Sequence, residues 1–403
     1  MAIRPGIVGR LAGPEADPSA VISTPEAQRV LSALARSPGR ARRAADLPDQ
    51  EAAGALKDLI SLGIITEDSP GQFRLAWPLW KEEDSRLLEE SSGDIVSSLA
   101  AEIGARWSLI SSHLDAMSST RLSGRGRAAC FVLGCMALDW GVIYGLAARG
   151  LLSLGRNFED GSEYLLNLYQ EDYQPDAGYC SSRNRRVGRY FFTTFGSDAG
   201  YRLGLPDLMP SSGGWSESEH PTFTRYRERY QELARELDDE PTALAGDLLE
   251  DLVRTGRPAR PSPLSQFLRD TGYLDDALRP RLPVILESDA DSVSACVKTV
   301  VEAVIPTVPD IKRALAGLSP VVAGLSWELC LMEIWHFLFG RLNQLLAQQG
   351  LFEVDEPQYP GQGIYISAVT AGYEAVESAL MQAVLPRGRD EHRRAAPQGC
   401  PEP

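Results

Sequence analysis

The chain has 403 residues, 43 % of them hydrophobic and 24 % charged, an ordinary globular composition with enough apolar material for about two to four domains. A formal net charge of −15 argues against a protein that covers its whole surface with nucleic acid or anionic membrane. Residues 1–80 hold nine Lys/Arg and nine Asp/Glu, so the acidity belongs to the remainder and only the head is suited to meet DNA.

The six cysteines (Cys130, Cys135, Cys180, Cys296, Cys330 and Cys400) contain no C-x-x-C pair, so neither a zinc knuckle nor a redox motif is signalled. Nothing suggests a disulfide framework, and no basic-then-apolar pattern opens the chain, which together predict a reducing, cytoplasmic setting. The longest apolar run, Ala128–Leu154, is interrupted by Asp139 and Arg149. It reads as a buried helix rather than a membrane span.

In chain order, Ser23-Thr24-Pro25-Glu26 is a helix start, with a capping hydroxyl and a proline in the first turn. Ala27, Val30, Leu31 and Leu34 follow at helical spacing, and Ser37-Pro38-Gly39 ends the helix. A short second helix is expected over Arg40–Leu47, and a third from Asp49 to Leu62, closed by Gly63. Ile64-Ile65 and Gln72–Leu75, on either side of Ser69-Pro70-Gly71, predict a hairpin. Leu31, Leu34, Leu56, Leu59 and Phe73 should share one core.

Three helices and a hairpin are the order of a winged helix. The segment LKDLISLGIITEDSPGQFRL resembles the recognition helix and wing of ArsR- and MarR-like transcriptional regulators, over about 55 residues, Thr24–Trp80. The resemblance implies that the third helix enters the major groove of double-stranded DNA and that the wing touches backbone. The candidate DNA contacts are Arg40, Arg42, Arg43, Gln50, Lys57, Ser61 and Arg74. Lys57 is the one cation among the outward positions of the third helix, and Glu67 and Asp68 stand at the wing tip. A winged helix that serves as a protein-interaction module is therefore the alternative.

The rest of the chain contains an internal echo. Pro78-Leu79-Trp80-Lys81-Glu82-Glu83-Asp84 is matched by Pro283-Val284-Ile285-Leu286-Glu287-Ser288-Asp289. Leu59–Ile65 is matched by Leu268–Leu274, and Met136-Ala137-Leu138-Asp139-Trp140 by Met332-Glu333-Ile334-Trp335-His336. Two readings stand: a tandem duplication with a degenerate second winged helix, or coincidence among amphipathic patterns. The expected organisation is a head at 1–80, a helical linker and first α+β body half at 81–215, a second half at 216–385 and a disordered tail at 386–403. The fold class is mainly α with small β elements.

Ser85–Met117 predicts one broken long helix or two, which in regulators of this shape often form a homodimer interface. Tyr164–Tyr169, Val187–Phe195 and Gly363–Val369 favour strands. Helices are expected near Phe223–Leu237, Thr242–Thr255, Ser292–Ile305, Ile311–Leu318, Ser326–Gln349 and Thr370–Val384.

No phosphate loop, nucleophile elbow, metalloprotease motif or kinase signature is present, so no catalytic residue, metal or cofactor is expected. Glu333-x-x-His336 has di-iron spacing, but the second match, Glu217–His220, lies in a Ser/Gly-rich loop. A metal-dependent enzyme is therefore the weakest reading, behind a His bonded to a neighbour. Asp139 in an apolar helix is either a buried ion pair or cap, or a polar anchor in a pocket for a small-molecule effector. By the internal match Asp139 and His336 face each other across the halves, with Trp140 and Trp335 beside them. Arg183, Arg185, Arg186 and Arg189 before Tyr190 read as a charged strand edge, or else as an anion or single-strand surface. The stretches GRYFFTTFGSDAGYRLGLPDLM and EIWHFLFGRLNQLLAQQGLF are similar to segments of poorly characterised bacterial proteins with N-terminal winged helices, a likeness that implies no activity.

Overall fold

The computed structural model describes residues 2–13, 17–36, 42–43, 52–158, 160–197, 199–209, 221–357 and 361–385. Arg40, Gln50, Glu217–His220, most of the expected second helix and the tail from 386 lie outside them. The fold is mainly helical with three small sheets.

The chain begins with strand β1 (Ile3–Arg10) and a short helix α1 (Pro18–Ile22). Helix α2 (Pro25–Ala35) follows, with Pro25 in its first turn and the Thr24 hydroxyl accepting the Ala27 N–H at 3.3 Å. Arg42–Arg43, expected in a helix, is instead strand β2. Helix α3 (Ala52–Ser61) leads through Gly63, at φ 64°, into the hairpin β3 (Ile65–Ser69) and β4 (Gln72–Leu75). The three strands form one sheet in the order β2-β4-β3. Pairing with β4, not local propensity, makes Arg42–Arg43 extended. Leu31, Leu34, Leu59 and Phe73 are buried in one cluster, and half-buried Leu56 packs against it.

The body opens with β5 (Leu79–Trp80), α4 (Glu82–Ala105), α5 (Trp107–Ala116), α6 (Thr120–Ser123) and α7 (Arg125–Ala129). The helix then widens to a π-helical segment, Cys130–Gly141, before α8 (Val142–Ala147), β6 (Arg156–Asn157) and β7 (Glu163–Gln170). The run Arg125–Ala147 is long and apolar enough to cross a bilayer, but 89 % of its most apolar window is buried inside the fold, as befits a core helix. Val187–Phe195 is not one strand: Gly188 turns the chain between β8 (Tyr179–Val187) and β9 (Tyr190–Ser197). Next come α9 (Pro221–Leu237), α10 (Pro241–Thr255), α11 (Pro263–Asp270), β10 (Val284–Ile285) and α12 (Ala290–Val304). The chain continues through α13 (Val308–Ala314), α14 (Ser319–Val322), α15 (Trp327–Gln348), β11 (Tyr365–Ala371) and α16 (Tyr373–Val384).

Two sheets share part of a plan, the first also carrying the two-residue β6 antiparallel to β7. In one, β7 is flanked by the long antiparallel β1 and the short parallel β5; in the other, β11 is flanked by antiparallel β9 and parallel β10, with β8 added outside β9. The second sheet joins strands from both sides of residue 215, so the boundary expected there does not divide the architecture; the change of sheet falls between β7 and β8. The head is likewise not detached, because β1 lies along β7 and the main core runs from Ile3 to Val384.

The halves interlock. Helix α4 packs on α15, and α12 packs on the π-helical segment. Two aspartates fasten the exchange. Asp84 accepts the Lys81 N–H at 2.8 Å and the Ser319 N–H at 2.6 Å. Asp289 accepts the Leu286 N–H at 3.0 Å and the Ser118 N–H at 3.0 Å. Both carboxylates are buried, where an acceptor with two backbone donors replaces the lost water. The apolar face of α4 (Leu88, Val96, Leu99, Ile103) is thus buried within its own chain.

Candidate functional site

Asp139 sits near the end of the π-helical segment, a rare winding that recurs at functional positions. Gly134 and Gly141 allow its close approach: a Cβ there would stand 2.8 Å from Phe195 and 2.6 Å from Val297. On the facing helix α15, the Trp335 indole N–H donates to the Leu138 carbonyl at 2.7 Å, and Trp335 is fully buried. Gly340 lets the same helix press against the chain before β8, since a Cβ would fall 1.8 Å from the Ala177 oxygen.

These contacts bring Asp139 and His336 together, with Nε2 4.0 Å from Oδ1. His336 Nδ1 lies 2.8 Å from the Met332 carbonyl, which can only accept, so Nδ1 carries a proton and Nε2 turns to the carboxyl. Burial pushes the Asp139 carboxyl up to about 6, opposed by the His336 charge and the Ser182 hydroxyl. Ser182 Oγ donates to Asp139 Oδ2 at 3.5 Å, and Asn184 Nδ2 donates to Ser182 Oγ at 3.3 Å. Thr193 pairs with Asn184 across the β8–β9 ladder, and the Thr193 hydroxyl and Asn184 Oδ1 are buried without a hydrogen-bond partner among the described residues.

The arrangement is a polar cluster centred on a carboxyl. It is not a nucleophilic triad, because the Ser182 hydroxyl meets the carboxylate and not the imidazole. Trp140 turns to a different neighbourhood, edge-on to Phe191 and Tyr373, and lines a cavity of about 10 Å³, room for roughly one water. The expected grouping of Asp139, Trp140, Trp335 and His336 around one effector pocket is therefore corrected. Two of the four form a pair, Trp335 is a sealed core residue, and the cavity at Trp140 is too small for an effector.

The metal reading also loses its motif. Glu333 accepts the Tyr169 hydroxyl at 2.7 Å and the Tyr173 hydroxyl at 2.8 Å, one on each oxygen. Among the described residues no group of three or more His, Cys, Asp or Glu is placed to hold a metal.

The head offers a second candidate surface. On α3, Lys57 and Ser61 are exposed, and the Ser61 hydroxyl donates back to the Asp58 carbonyl at 2.8 Å. Arg42 lies opposite Phe73 and is half-buried, whereas Arg43 lies opposite Gln72 and is exposed. Arg74 Nε reaches both Asp68 oxygens at 2.7 Å, and Glu67 accepts the Gly71 N–H at 2.5 Å. The acids at the tip of the β3–β4 hairpin thus have local work: one carries the turn and the other is neutralised. Sequence reasoning missed Arg156, whose guanidinium lies 4.3 Å over the Trp77 ring and donates to the Ala76 carbonyl. Partial burial, and then the Arg74 charge, lower its pKa. Two of the four strand arginines are paired with acids: Arg186 with Glu374, and Arg189 with Asp247 and Glu250.

Compared with protein families, curated proteins and solved structures, the chain finds no match.

Proposed function

We propose that the chain is a DNA-binding transcriptional regulator whose head is a winged helix and whose acidic body is built from two related halves. The observation that carries the reading is the uncovered face of α3 beside a hairpin whose flank bears Arg43, Arg74 and Arg156. An exposed helix beside a hairpin with arginines on its flank is the layout in which a helix enters the major groove and a wing lies on phosphate. The duplication is supported by the repeated sheet plan and by the paired Asp84 and Asp289 contacts. The body then serves as the sensing part, with the Asp139–His336 pair at the seam between halves.

A mobility-shift titration of the full chain on mixed genomic fragments, repeated across salt concentrations, tests this. Binding should fall with salt at a slope of about 0.9 per phosphate contact. Absence of any shift at low salt would overturn the DNA reading. The second reading, a protein-binding winged helix, is favoured by the small and apolar part of the exposed α3 face, Ala53, Gly54 and Ile60.

A further inference from the structure

A cleft of about 400 Å³ opens where α6, the end of α10 and the residues after β10 meet. That volume is in the range of small-molecule sites. Its rim carries Arg121 and Arg254, with the hydroxyls of Ser118 and Ser288, and its floor is Leu122 and Val253 at the edge of the second hydrophobic cluster. Among the described residues no acidic side chain lines it.

The two arginines are differently prepared. Arg254 is held by Glu250 through Nε at 2.8 Å and Nη2 at 2.6 Å, which leaves its Nη1 pointing elsewhere with no partner among the described residues. Arg121 is exposed and has no acidic or hydrogen-bonding partner among the described residues. The walls are fixed to each other, because Asp289 ties the Ser118 N–H to the turn that carries Ser288. Both Asp289 oxygens are used in doing so, one on the Ser118 N–H and one on the Leu286 N–H. An unopposed guanidinium on a chain of net charge −15 is a local reversal of sign.

We propose that this cleft binds a small phosphate monoester with a compact apolar body. A phosphate presents three acceptor oxygens, and guanidinium groups meet such oxygens in a matched fork. Two arginines and two hydroxyls supply more donors than one carboxylate can use, which favours phosphate. The apolar floor favours an ester over the free ion. The site stands whether or not the head binds DNA.

Isothermal titration of the full chain with phenyl phosphate tests it, with inorganic phosphate and benzoate as comparison ligands. Phenyl phosphate should bind saturably, one per chain, and tighter than either comparison ligand. Arg121→Ala should weaken it by about tenfold or more, equivalent to loss of a charged contact. Because Arg121 is exposed, that variant should keep the circular dichroism of the parent. Ser288→Trp, which fills the opening, should abolish binding. The proposal is overturned by no saturable heat at millimolar ligand, or by unchanged affinity in either variant. Benzoate binding as tightly would overturn the choice of phosphate. Inorganic phosphate binding as tightly would overturn the apolar body.

Discussion

The segment entering α4 and the segment entering α12 are built alike. In each, a two-residue strand lies parallel to an inner strand of a sheet, and an aspartate folds back to accept the N–H of the residue three positions before it. The second oxygen of each then reaches the other half, Asp84 to Ser319 and Asp289 to Ser118. The domains hung on these frames differ. Ahead of β5 stand α2, α3 and a true hairpin, whereas ahead of β10 stand α9, α10 and α11 with a single bridge, Leu274 to Pro280, where a hairpin would be. The contrast separates what geometry constrains from what it leaves free. A buried carboxylate holding two backbone donors allows no substitute of other shape, while the segments ahead of β5 and β10 differ in helix count and in strand pairing.

The largest expected effect tests the likeness of the frames. Asp84→Ala and Asp289→Ala each leave two backbone N–H groups without acceptors, at a cost of about 1–3 kcal/mol per buried donor. Urea denaturation should give similar losses for the two, about 3 kcal/mol each. A loss in the range of a surface substitution for one of them would break the equivalence.

The next effect concerns the contact between Asp139 and His336. The Asp139 pKa is raised from 3.8 to about 6, chiefly by burial. A raised acid binds its proton more tightly folded than unfolded, so stability is greatest below pH 4 for this group and falls as pH climbs through about 6. Asp139→Asn, which keeps the shape without the charge, should be neutral near pH 4. Near pH 8 it should stabilise by up to about 3 kcal/mol, since one pKa unit corresponds to about 1.4 kcal/mol. Thermal melts across pH read this directly; destabilisation by Asn at pH 8 would mean the ion pair with His336 outweighs burial.

Trp335→Phe should cost about 2 kcal/mol, through the Leu138 carbonyl left without its donor and the space left by the smaller ring. The effect should appear in stability at every pH. A change confined to one pH range would instead tie Trp335 to the titration of its neighbours.

Much of this was legible from local pattern. Thr24-Pro25 does begin a helix, Gly63 ends one, Pro70-Gly71 makes a turn, and the periodic apolar residues of α4, α12 and α15 lie inside. The missing elements are those set by partners far along the chain. Ile3–Arg10 contains Pro5, Gly6 and Gly9, which read as strand breakers, yet it pairs along all of β7. Gly6 is needed there because a Cβ would stand 2.4 Å from the Tyr169 ring, and Gly9 because one would meet the Glu163 carbonyl. The site shows the same split. Asp139 and His336 were found by matching one half to the other. Ser182, Asn184 and Thr193 were not, because polar residues beside Arg183 and Arg185 look like solvent surface. The alternation Cys180, Ser182, Asn184 was the available signal, since residues two apart on a strand share a face.

The smallest expected effect returns to the heads. Arg74 and Asp68 form an exposed pair on the β3–β4 hairpin, and exposed pairs contribute about 0–1 kcal/mol, so Arg74→Ala should leave the melting temperature nearly unchanged. Its effect on DNA is also bounded, because Asp68 already neutralises part of the charge. Arg43 is exposed on the neighbouring strand, and Arg43→Ala should flatten the salt dependence of DNA binding by about one unit, equally on all sequences. Asp68→Asn makes the comparison sharper. Freed from its partner, Arg74 becomes available to phosphate, and affinity should rise while the slope steepens. If Asp68→Asn leaves both unchanged and Arg43→Ala does too, the hairpin does not lie on DNA. The head would then resemble its counterpart ahead of β10 in function as well as in position, as a module that packs against protein.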